Sequence, residues 1–176
     1  LLIGLISSSV LSNAQDIWKE FEHLFVPAKN YVAYYTTAEI NIDGQANEAD
    51  WKQATWSEYF EDIEGASNLK PLFDTRVKML WDENNLYIFA ELVDPHIWAY
   101  YNKNDMIVYH ENDFEIFIDP NRDTHNYYEF EVNAQNTLFD LFMNKPYRNG
   151  GRANIPWNAL GFLSAVHING TLNNPT

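Results

Sequence analysis

The feature that most constrains this chain is an alternation of apolar and polar side chains in its middle. Residues 76–81 and 86–93 both carry it, and the four residues between them, from Asp82 to Asn85, are polar turn formers. A period of two places successive side chains on opposite faces of a strand. Two such runs joined by a short polar segment predict a β-hairpin with a four-residue loop.

The same texture continues along the chain. Further strands are predicted at 114–119, 127–133 and 138–143, with a weaker candidate at 162–168. A long aromatic and polar loop, 95–112, interrupts this series, and loops of that length are usually functional or disordered. Strands about ten residues apart with little helix predict an all-β fold. We expect an antiparallel β-sandwich of jelly-roll-like form.

The start of the chain has a different character from the rest. It is apolar and then Ser-rich, and Ser12 and Ala14 occupy the −3 and −1 positions that a signal peptidase reads. We interpret residues 1–14 as part of a secretory signal peptide, which predicts a secreted or periplasmic protein. The alternative is an unstructured apolar N-terminus or a core strand.

The remaining chain divides into two parts. Residues 15–30 are predicted as a short helical lead-in, because Trp18, Phe21 and Phe25 recur at helical spacing after Asp16, a candidate N-cap. Residues 31–176 are predicted to form the sandwich. Its closing strands are expected to lie beyond this sequence.

Composition excludes several function classes. The formal net charge is −14, from 25 acidic and 11 basic residues, so a nucleic-acid partner is not expected. The absence of cysteine excludes disulfides, Cys-ligated zinc and Cys nucleophiles in this chain. No run approaches the about 20 apolar residues of a membrane span, so the protein is not expected to be transmembrane. Aromatic residues, at 16%, suit a β-rich core with rings left for a ligand surface.

Strand alternation predicts a polar patch on one sheet face. If the strands at 114–119 and 127–133 are neighbours, Glu115, Glu131 and Asn133 share a face that points away from the core. Carboxylate and amide groups at that spacing suit the paired hydroxyls of a sugar. Rings from the 95–112 loop could cover the patch by stacking on a pyranose. The alternative is a solvated sheet face with ordinary carboxylates.

Two other acidic patterns are candidates for chemistry. Asp119, Asn121 and Asp123 have the alternate oxygen spacing of calcium loops, although Pro120 and the lack of a following Gly depart from an EF-hand. A plain acidic turn is the alternative. Glu115 with Glu129 or Glu131 could form a glycosidase pair, which requires carboxyl groups about 5–10 Å apart.

Several segments resemble the family 9 carbohydrate-binding modules, and more loosely their DOMON-type sandwich relatives. They are "INIDGQANEADW" (40–51), "VKMLWDENNLYIFAELVDPHIW" (77–98), "YHENDFEIFIDP" (109–120) and "YYEFEVNAQNT" (127–137). The resemblance implies a β-sandwich that binds polysaccharide ends or small sugars. It also implies association with xylan- or glucan-degrading enzymes and structural calcium.

The resemblance also implies roles for particular residues. The family's platform Trp lies six residues before a sugar-binding Glu, which places Tyr109 at the platform and Glu115 at the Glu. The family's Phe-Arg-Val-Asn strand matches residues 130–133, so Asn133 carries over while Glu131 stands in place of Arg.

We therefore predict non-catalytic binding of a plant-type glycan, such as xylan or glucan, or of small sugars. Tyr109 would stack on the sugar, helped by Trp98, and Glu115, Glu131 and Asn133 would form hydrogen bonds with it. Calcium is the expected cofactor, and tethering to further domains of the same polypeptide is expected. The alternatives are a glycoside hydrolase domain with Glu115 as acid or nucleophile, and a DOMON-like domain that binds haem or serves interactions.

Overall fold

The computed structural model describes residues 19–22, 28–65 and 68–174. The chain divides into two compact units, Leu1–Val32 and Ala33–Thr176. In the first unit, residues 19–20 are helical. The predicted signal peptide, 1–14, lies outside the described residues, as does most of the predicted helical lead-in, 15–30.

The described part of the second unit contains seven strands and one short α-helix, and it confirms the all-β prediction. One turn of 3₁₀ helix, Val108–His110, lies in the 95–112 loop, and another follows β6 at Tyr147–Asn149. In chain order the main elements are β1 (Tyr34–Tyr35), α1 (Ala49–Gln53), β2 (Thr75–Trp81), β3 (Leu86–Leu92), β4 (Asp113–Ile118), β5 (Tyr127–Asn133), β6 (Leu138–Met143) and β7 (Ala153–Asn154).

The strands form two sheets. The first has the order β1-β2-β3 and the second the order β4-β5-β6-β7. All neighbouring pairs are antiparallel except β1 and β2, which are parallel. The ring of Phe60, which lies along the edge of β2, stacks on Phe114 of β4 with centroids 6.3 Å apart. This contact joins the two sheets of the sandwich.

The first sheet is organised by the predicted hairpin. β2 and β3 pair along their whole length, from Thr75 opposite Leu92 to Trp81 opposite Leu86. The turn is stabilised by Asp82, whose Oδ1 accepts the backbone N–H groups of Asn84 and Asn85 at 2.7 Å each. The predicted hairpin and its polar loop are confirmed.

One face of this hairpin is covered by the segment before it. The α1 residue Trp51 is buried with Ile40, Ala54 and Leu80 in a single cluster. The short helix α1 thus presents Trp51 to the core. The burial of large apolar side chains here supplies the main stabilisation of the first sheet.

One face of the second sheet is covered by packed aromatic rings. Tyr128 and Phe130 of β5 project there, and the ring of Phe130 stacks on Phe162 with centroids 4.8 Å apart. Trp157 packs against Tyr128 at 5.0 Å. The alternation along β5 therefore places Glu129, Glu131 and Asn133 on the other face of the sheet.

The strand predicted at 162–168 is wrong, because the chain there has no regular secondary structure. Packing holds this segment instead of a hydrogen-bonded ladder. Phe162 stacks on Phe130, and Asn136 donates from Nδ2 to the carbonyl of Ser164 at 3.0 Å. The strand that does pair with β6 is β7, which has only two residues. Too short for an alternating pattern, β7 gives no periodic signal in the sequence.

No helix in the described parts of the chain combines the length and the apolar character needed to cross a bilayer.

Candidate functional site

The face of the second sheet opposite Phe130 carries a row of acidic side chains, and we call it the acidic face. It is defined by Asp113 and Glu115 of β4 and by Glu129 and Glu131 of β5. The register places Glu115 directly opposite Glu131, as the sequence predicts. Like charges directly opposite each other in a sheet are destabilising. A fold that keeps them together therefore points to a function for this face.

Three of these carboxylates converge. Oxygen atoms of Asp113, Glu115 and Glu131 all lie within 4.8 Å of one another. Glu115 is exposed and Asp113 half-buried, whereas the Glu131 side chain is only 1% exposed. The Oε2 atom of Glu131 and the Oδ2 atom of Asp113 are buried and accept no hydrogen bond. Almost all buried polar groups in proteins have a partner, so these two atoms are exceptional.

Burial and crowding change the protonation of this cluster. Burial, followed by the charges of Asp113, Glu115 and Glu129, raises the pKa of Glu131 to about 8. Burial, followed by the charge of Glu115, raises the pKa of Asp113 to about 6. At neutral pH, Glu131 therefore carries a proton most of the time. Its carboxyl group then donates as well as accepts hydrogen bonds.

Glu129 lies two residues before Glu131 on β5 and has a hydrogen-bond partner. The hydroxyl of Tyr147 donates to its Oε2 at 3.0 Å. Burial raises the pKa of Glu129, and burial followed by the charge of Glu129 raises the pKa of Tyr147. Tyr147, in the 3₁₀ turn after β6, is thereby fixed at one edge of the acidic face.

Tyr109 lies at the other side of the acidic face. It belongs to the 3₁₀ turn Val108–His110 and is 51% exposed. Its ring centroid lies 6.1 Å from that of Phe139, and Phe139 is the β6 residue paired with Glu131. An exposed ring therefore lies beside the carboxylate cluster, and Phe117 adds a second, 53% exposed ring at the far end of β4.

A buried apolar cluster supports Tyr109 from below. Val108, next to Tyr109 in the chain, is fully buried with Phe139 and other side chains of β5 and β6. The half-buried Tyr101 packs against the same cluster. The 95–112 loop thus lies against the sheet, and Tyr109 projects from a segment whose neighbour is locked in the core.

Asn133 connects this loop to the sheet. Its Nδ2 donates to the carbonyl of Tyr101 at 2.7 Å and to Oε1 of Glu111 at 2.6 Å. Its Oδ1 accepts the backbone N–H groups of Gln135 at 3.0 Å and Thr137 at 2.9 Å. The side chain is 1% exposed, and all of its hydrogen-bonding groups are used within the protein.

Glu111 completes the attachment of the loop. Its carboxylate accepts the backbone N–H groups of Tyr100 at 2.7 Å and of Tyr101 at 3.2 Å, in addition to the bond from Asn133. Sequence reasoning did not identify this role. Because the partners lie 10–22 residues away, no local pattern in the sequence signals it.

The prediction that Glu131 and Asn133 lie on a face that points away from the core needs a correction. These two side chains and Glu129 share the face opposite Phe130, as strand alternation predicts, but all three are buried. The reason is that the 95–112 loop and the turn carrying Tyr147 cover much of this face. Among the predicted site residues of the two strands, Glu115 is the exposed one.

Trp98 occupies a different position. It is half-buried, and its ring lies 5.9 Å from that of Tyr100. The adjacent backbone is held by Asn173, which donates its N–H to the carbonyl of Ile97 and accepts the N–H of Ala99 at its Oδ1. Its ring contact is with Tyr100, and the rings beside the acidic face are Tyr109 and Phe117.

The sequence-predicted metal residues form a closed turn after β4. Asp119 accepts the N–H groups of Arg122 at 3.0 Å and Thr124 at 2.7 Å. Asp123 accepts the N–H of His125 at 2.8 Å and the Nδ2 of Asn121 at 2.9 Å. These bonds support Arg122 and Thr124 at positive φ, an uncommon conformation for residues other than glycine. Calcium at this turn stays a prediction.

A separate concavity of about 240 Å³ lies on the first sheet. Its lining residues are Tyr34, Tyr35, Asp50, Gln53 and Leu80. Asp50 there already accepts a hydrogen bond from Thr36 at 2.5 Å. This concavity lacks the combination of unpartnered polar atoms and exposed rings found on the acidic face.

Taken together, the fold and the acidic face define a β-sandwich with a ring-bordered polar surface suited to a small polar ligand. The chain matches the sequence profile of the family described as "Carbohydrate family 9 binding domain-like" over residues 42–150, more than half of its length. It belongs to this family, and the resemblance stated from the sequence is confirmed.

Relatives of the chain are named as polysaccharide-degrading enzymes. It is 28% identical over 116 residues to "Exoglucanase XynX" of Acetivibrio thermocellus, covering 65% of this chain and 10% of that protein. It is 34% identical over 100 residues to "Endo-1,4-beta-xylanase A" of Thermotoga maritima, covering 54% and 9%. A "Endo-1,4-beta-xylanase A" of Thermotoga neapolitana is 39% identical over 66 residues, covering 35% and 6%. The chain thus spans about a tenth or less of these relatives. No solved structure matches it significantly.

Proposed function

We propose that this protein is a non-catalytic module that binds a neutral glycan on the acidic face, with xylan and β-glucan as the first substrates to test. The observation that carries the proposal is that the half-exposed ring of Tyr109 packs on Phe139. Phe139 pairs with Glu131, which lies opposite the exposed Glu115. Aromatic rings offer a large apolar contact surface at low entropic cost, and the C–H face of a pyranose presents a matching surface.

The carboxylates give the polar half of such a site. Glu115 is exposed and is therefore the group that reaches sugar hydroxyls as an acceptor. Glu131 lies directly across from it, and its raised pKa keeps a proton there at neutral pH. Burial raises the pKa of Glu115 as well, and the proton on Glu131 reduces the repulsion that an ionised Glu115 meets. Hydrogen bonds to an ionised carboxylate are the stronger kind.

Asn133 has a supporting role in this proposal. Because its amide is fully engaged with Tyr101 and Glu111, it acts by fixing the loop that presents Tyr109. Trp98 contacts Tyr100 and extends the exposed aromatic surface of the same loop. The direct contacts with sugar are assigned to Tyr109 and Glu115.

Hydrolysis is the alternative function to test for these carboxylates. Retaining glycosidases hold their two carboxyl groups about 5–5.5 Å apart and inverting ones further. Oxygens of Asp113, Glu115 and Glu131 lie within 4.8 Å of one another, so the reducing-sugar assay described below decides between binding and hydrolysis.

We also propose that the module acts in a larger, secreted or periplasmic polypeptide that degrades polysaccharide. Support comes from the relatives, which are named as xylanases and an exoglucanase and are about ten times longer than the matched region or more. In that setting the module would hold a catalytic domain near its polymer. Detection of the full polypeptide in the culture medium or periplasmic fraction tests the location.

Affinity electrophoresis in native gels that contain soluble xylan or β-glucan tests the binding proposal. We expect the wild-type chain to be retarded, Tyr109→Phe to be retarded similarly, and Tyr109→Ala to migrate as in a gel without glycan. Tyr59→Ala is the matched control, because Tyr59 is also 51% exposed but does not border the acidic face. Equal retardation of Tyr109→Ala and wild type would contradict the site.

A reducing-sugar assay on the same samples separates binding from hydrolysis. A binding module releases no sugar, whereas sustained release that Glu115→Gln abolishes would show a glycoside hydrolase.

A further inference from the structure

The convergence of Asp113, Glu115 and Glu131 has the geometry of a cation site. Calcium binds oxygen ligands at about 2.3–2.6 Å, so two oxygens on one ion lie at most about 5 Å apart. The three carboxylates meet this condition, since their oxygens lie within 4.8 Å of one another. Carboxylates from two adjacent strands form a rigid support, because the backbone register fixes Glu115 opposite Glu131.

A second observation concerns hydrogen bonding. Glu131 is only 1% exposed, and its Oε2 accepts no hydrogen bond. The Oδ2 of Asp113 is in the same condition. Buried Asp140, on the other face of the sheet, shows the usual arrangement, because its Oδ2 accepts the N–H of Ala159 at 2.6 Å. Four buried side-chain atoms of the described residues lack a partner, and two of them, Oδ2 of Asp113 and Oε2 of Glu131, lie together in this cluster.

The cluster also lacks a counter-charge of its own. Among the described residues, no lysine, arginine or histidine forms an ion pair with any of the three carboxylates, whereas Arg76 and Glu91 pair at 2.6 Å elsewhere. Buried charges in proteins are paired with opposite charges or coordinate metals. Like charges without compensation are costly in a buried setting.

From these observations we infer that Asp113, Glu115 and Glu131 together hold a divalent cation, with Ca²⁺ as the probe. Hard cations of this kind prefer carboxylate oxygens. The exposed Glu115 lies on the solvent side of the site, where a cation would enter. Asp113 and Glu131 supply the buried oxygens. This site is separate from the Asp119–Asp123 turn, whose carboxylate oxygens already have partners.

Calorimetric titration of CaCl₂ into the chelator-treated protein tests the inference. We expect the wild type to bind Ca²⁺ and both Glu131→Gln and Glu115→Gln to weaken that binding at least tenfold. One matched control, Asp123→Asn, changes the acidic turn and should bind as the wild type does.

Loss of calcium binding can be distinguished from loss of folding in these variants. Glu115 is exposed, so Glu115→Gln leaves the core intact, and thermal unfolding without calcium checks both variants. Calcium should raise the unfolding temperature of the wild type and not of Glu131→Gln. The inference is overturned if the wild type binds no Ca²⁺, if both cluster variants bind it normally, or if Asp123→Asn alone abolishes binding.

The cation site and the proposed function fail in different ways. Retardation by glycan in EDTA, together with no calcium binding, would overturn the cation site and leave glycan binding in place. Calcium binding that depends on Glu131, together with no retardation by any glycan, would support the cation site and contradict the proposed function.

Discussion

Two acidic clusters lie at opposite ends of β4, and they differ in how their carboxylates are satisfied. The cluster after the strand combines half-buried Asp119 with exposed Asp123, and backbone N–H groups or the Asn121 amide occupy its oxygens. The cluster at its start combines half-buried Asp113, exposed Glu115 and buried Glu131, and it contains two buried oxygens without a partner. Acidic residues within one turn can satisfy each other locally, whereas those brought together across strands depend on the rest of the fold or on a ligand.

The largest expected effect comes from removing the Asn133 side chain, which holds the 95–112 loop against the face of Asp113, Glu115 and Glu131. Asn133→Ala deletes four hydrogen bonds and leaves Glu111 and the Tyr101 carbonyl without their partner. We expect a loss of about 3 kcal/mol in the free energy of unfolding, together with loss of glycan retardation. Urea unfolding measures the first effect and native gels the second.

Asn121→Ala is the matched control for that change. Asn121 is exposed and serves only the acidic turn, so we expect a cost below about 1 kcal/mol and unchanged retardation. A similar loss of unfolding free energy in the two variants would show that the cluster of Asp113, Glu115 and Glu131 does not depend on the hydrogen bonds of Asn133.

The second prediction concerns pH. The folded-state pKa of Glu131, about 8, lies above its ordinary value of 4.5, so the folded chain keeps a proton that the unfolded chain releases. The resulting stabilisation is complete below pH about 4.5 and is lost as the pH rises through about 8. In EDTA, we expect the stability of the wild type to fall by up to about 1.4 kcal/mol per pH unit more steeply than that of Glu131→Gln.

Urea unfolding at pH 5, 6, 7 and 8 gives the two slopes. Asp123→Asn should follow the wild-type slope, since it changes the other cluster. Parallel curves for the wild type and Glu131→Gln would contradict the buried, uncompensated character assigned to Glu131.

The smallest effect is expected in the turn. Asp119→Ala removes two hydrogen bonds to backbone N–H groups in an exposed segment where Arg122 and Thr124 have positive φ. We expect a destabilisation of about 1 kcal/mol in chelator and no change in glycan retardation. Abolished retardation in this variant would contradict the account, because it would place the glycan at the Asp119–Asp123 turn instead of the acidic face.

Sequence pattern was enough to predict the main strands. The predicted strands at 127–133 and 138–143 coincide with β5 and β6, because the first alternates and the second is a short apolar run bounded by turns. At 162–168 a mainly apolar run is present without a strand, since Phe162 is held by stacking on Phe130. Pattern alone does not distinguish a side chain that packs from one that also belongs to a ladder.

Part of the candidate site was also predictable from the alternation of side chains along the strands. Alternation placed Glu115 and Glu131 on one face, and the same rule applied two residues earlier would have added Asp113. Burial of Glu131 could not be predicted, because it results from a loop fixed by Asn133 and Glu111, which are 22 residues apart. Contacts at such separation depend on the assembled fold.

The most direct test of the central claim, glycan binding on the acidic face, is an NMR titration of the labelled protein with xylo- and cello-oligosaccharides. We predict shift changes concentrated at the amides of Tyr109, Glu115 and Glu131, with the Asp119–Asp123 turn unaffected. Changes confined to the concavity around Tyr34 and Gln53, or no changes with either sugar series, would contradict the account.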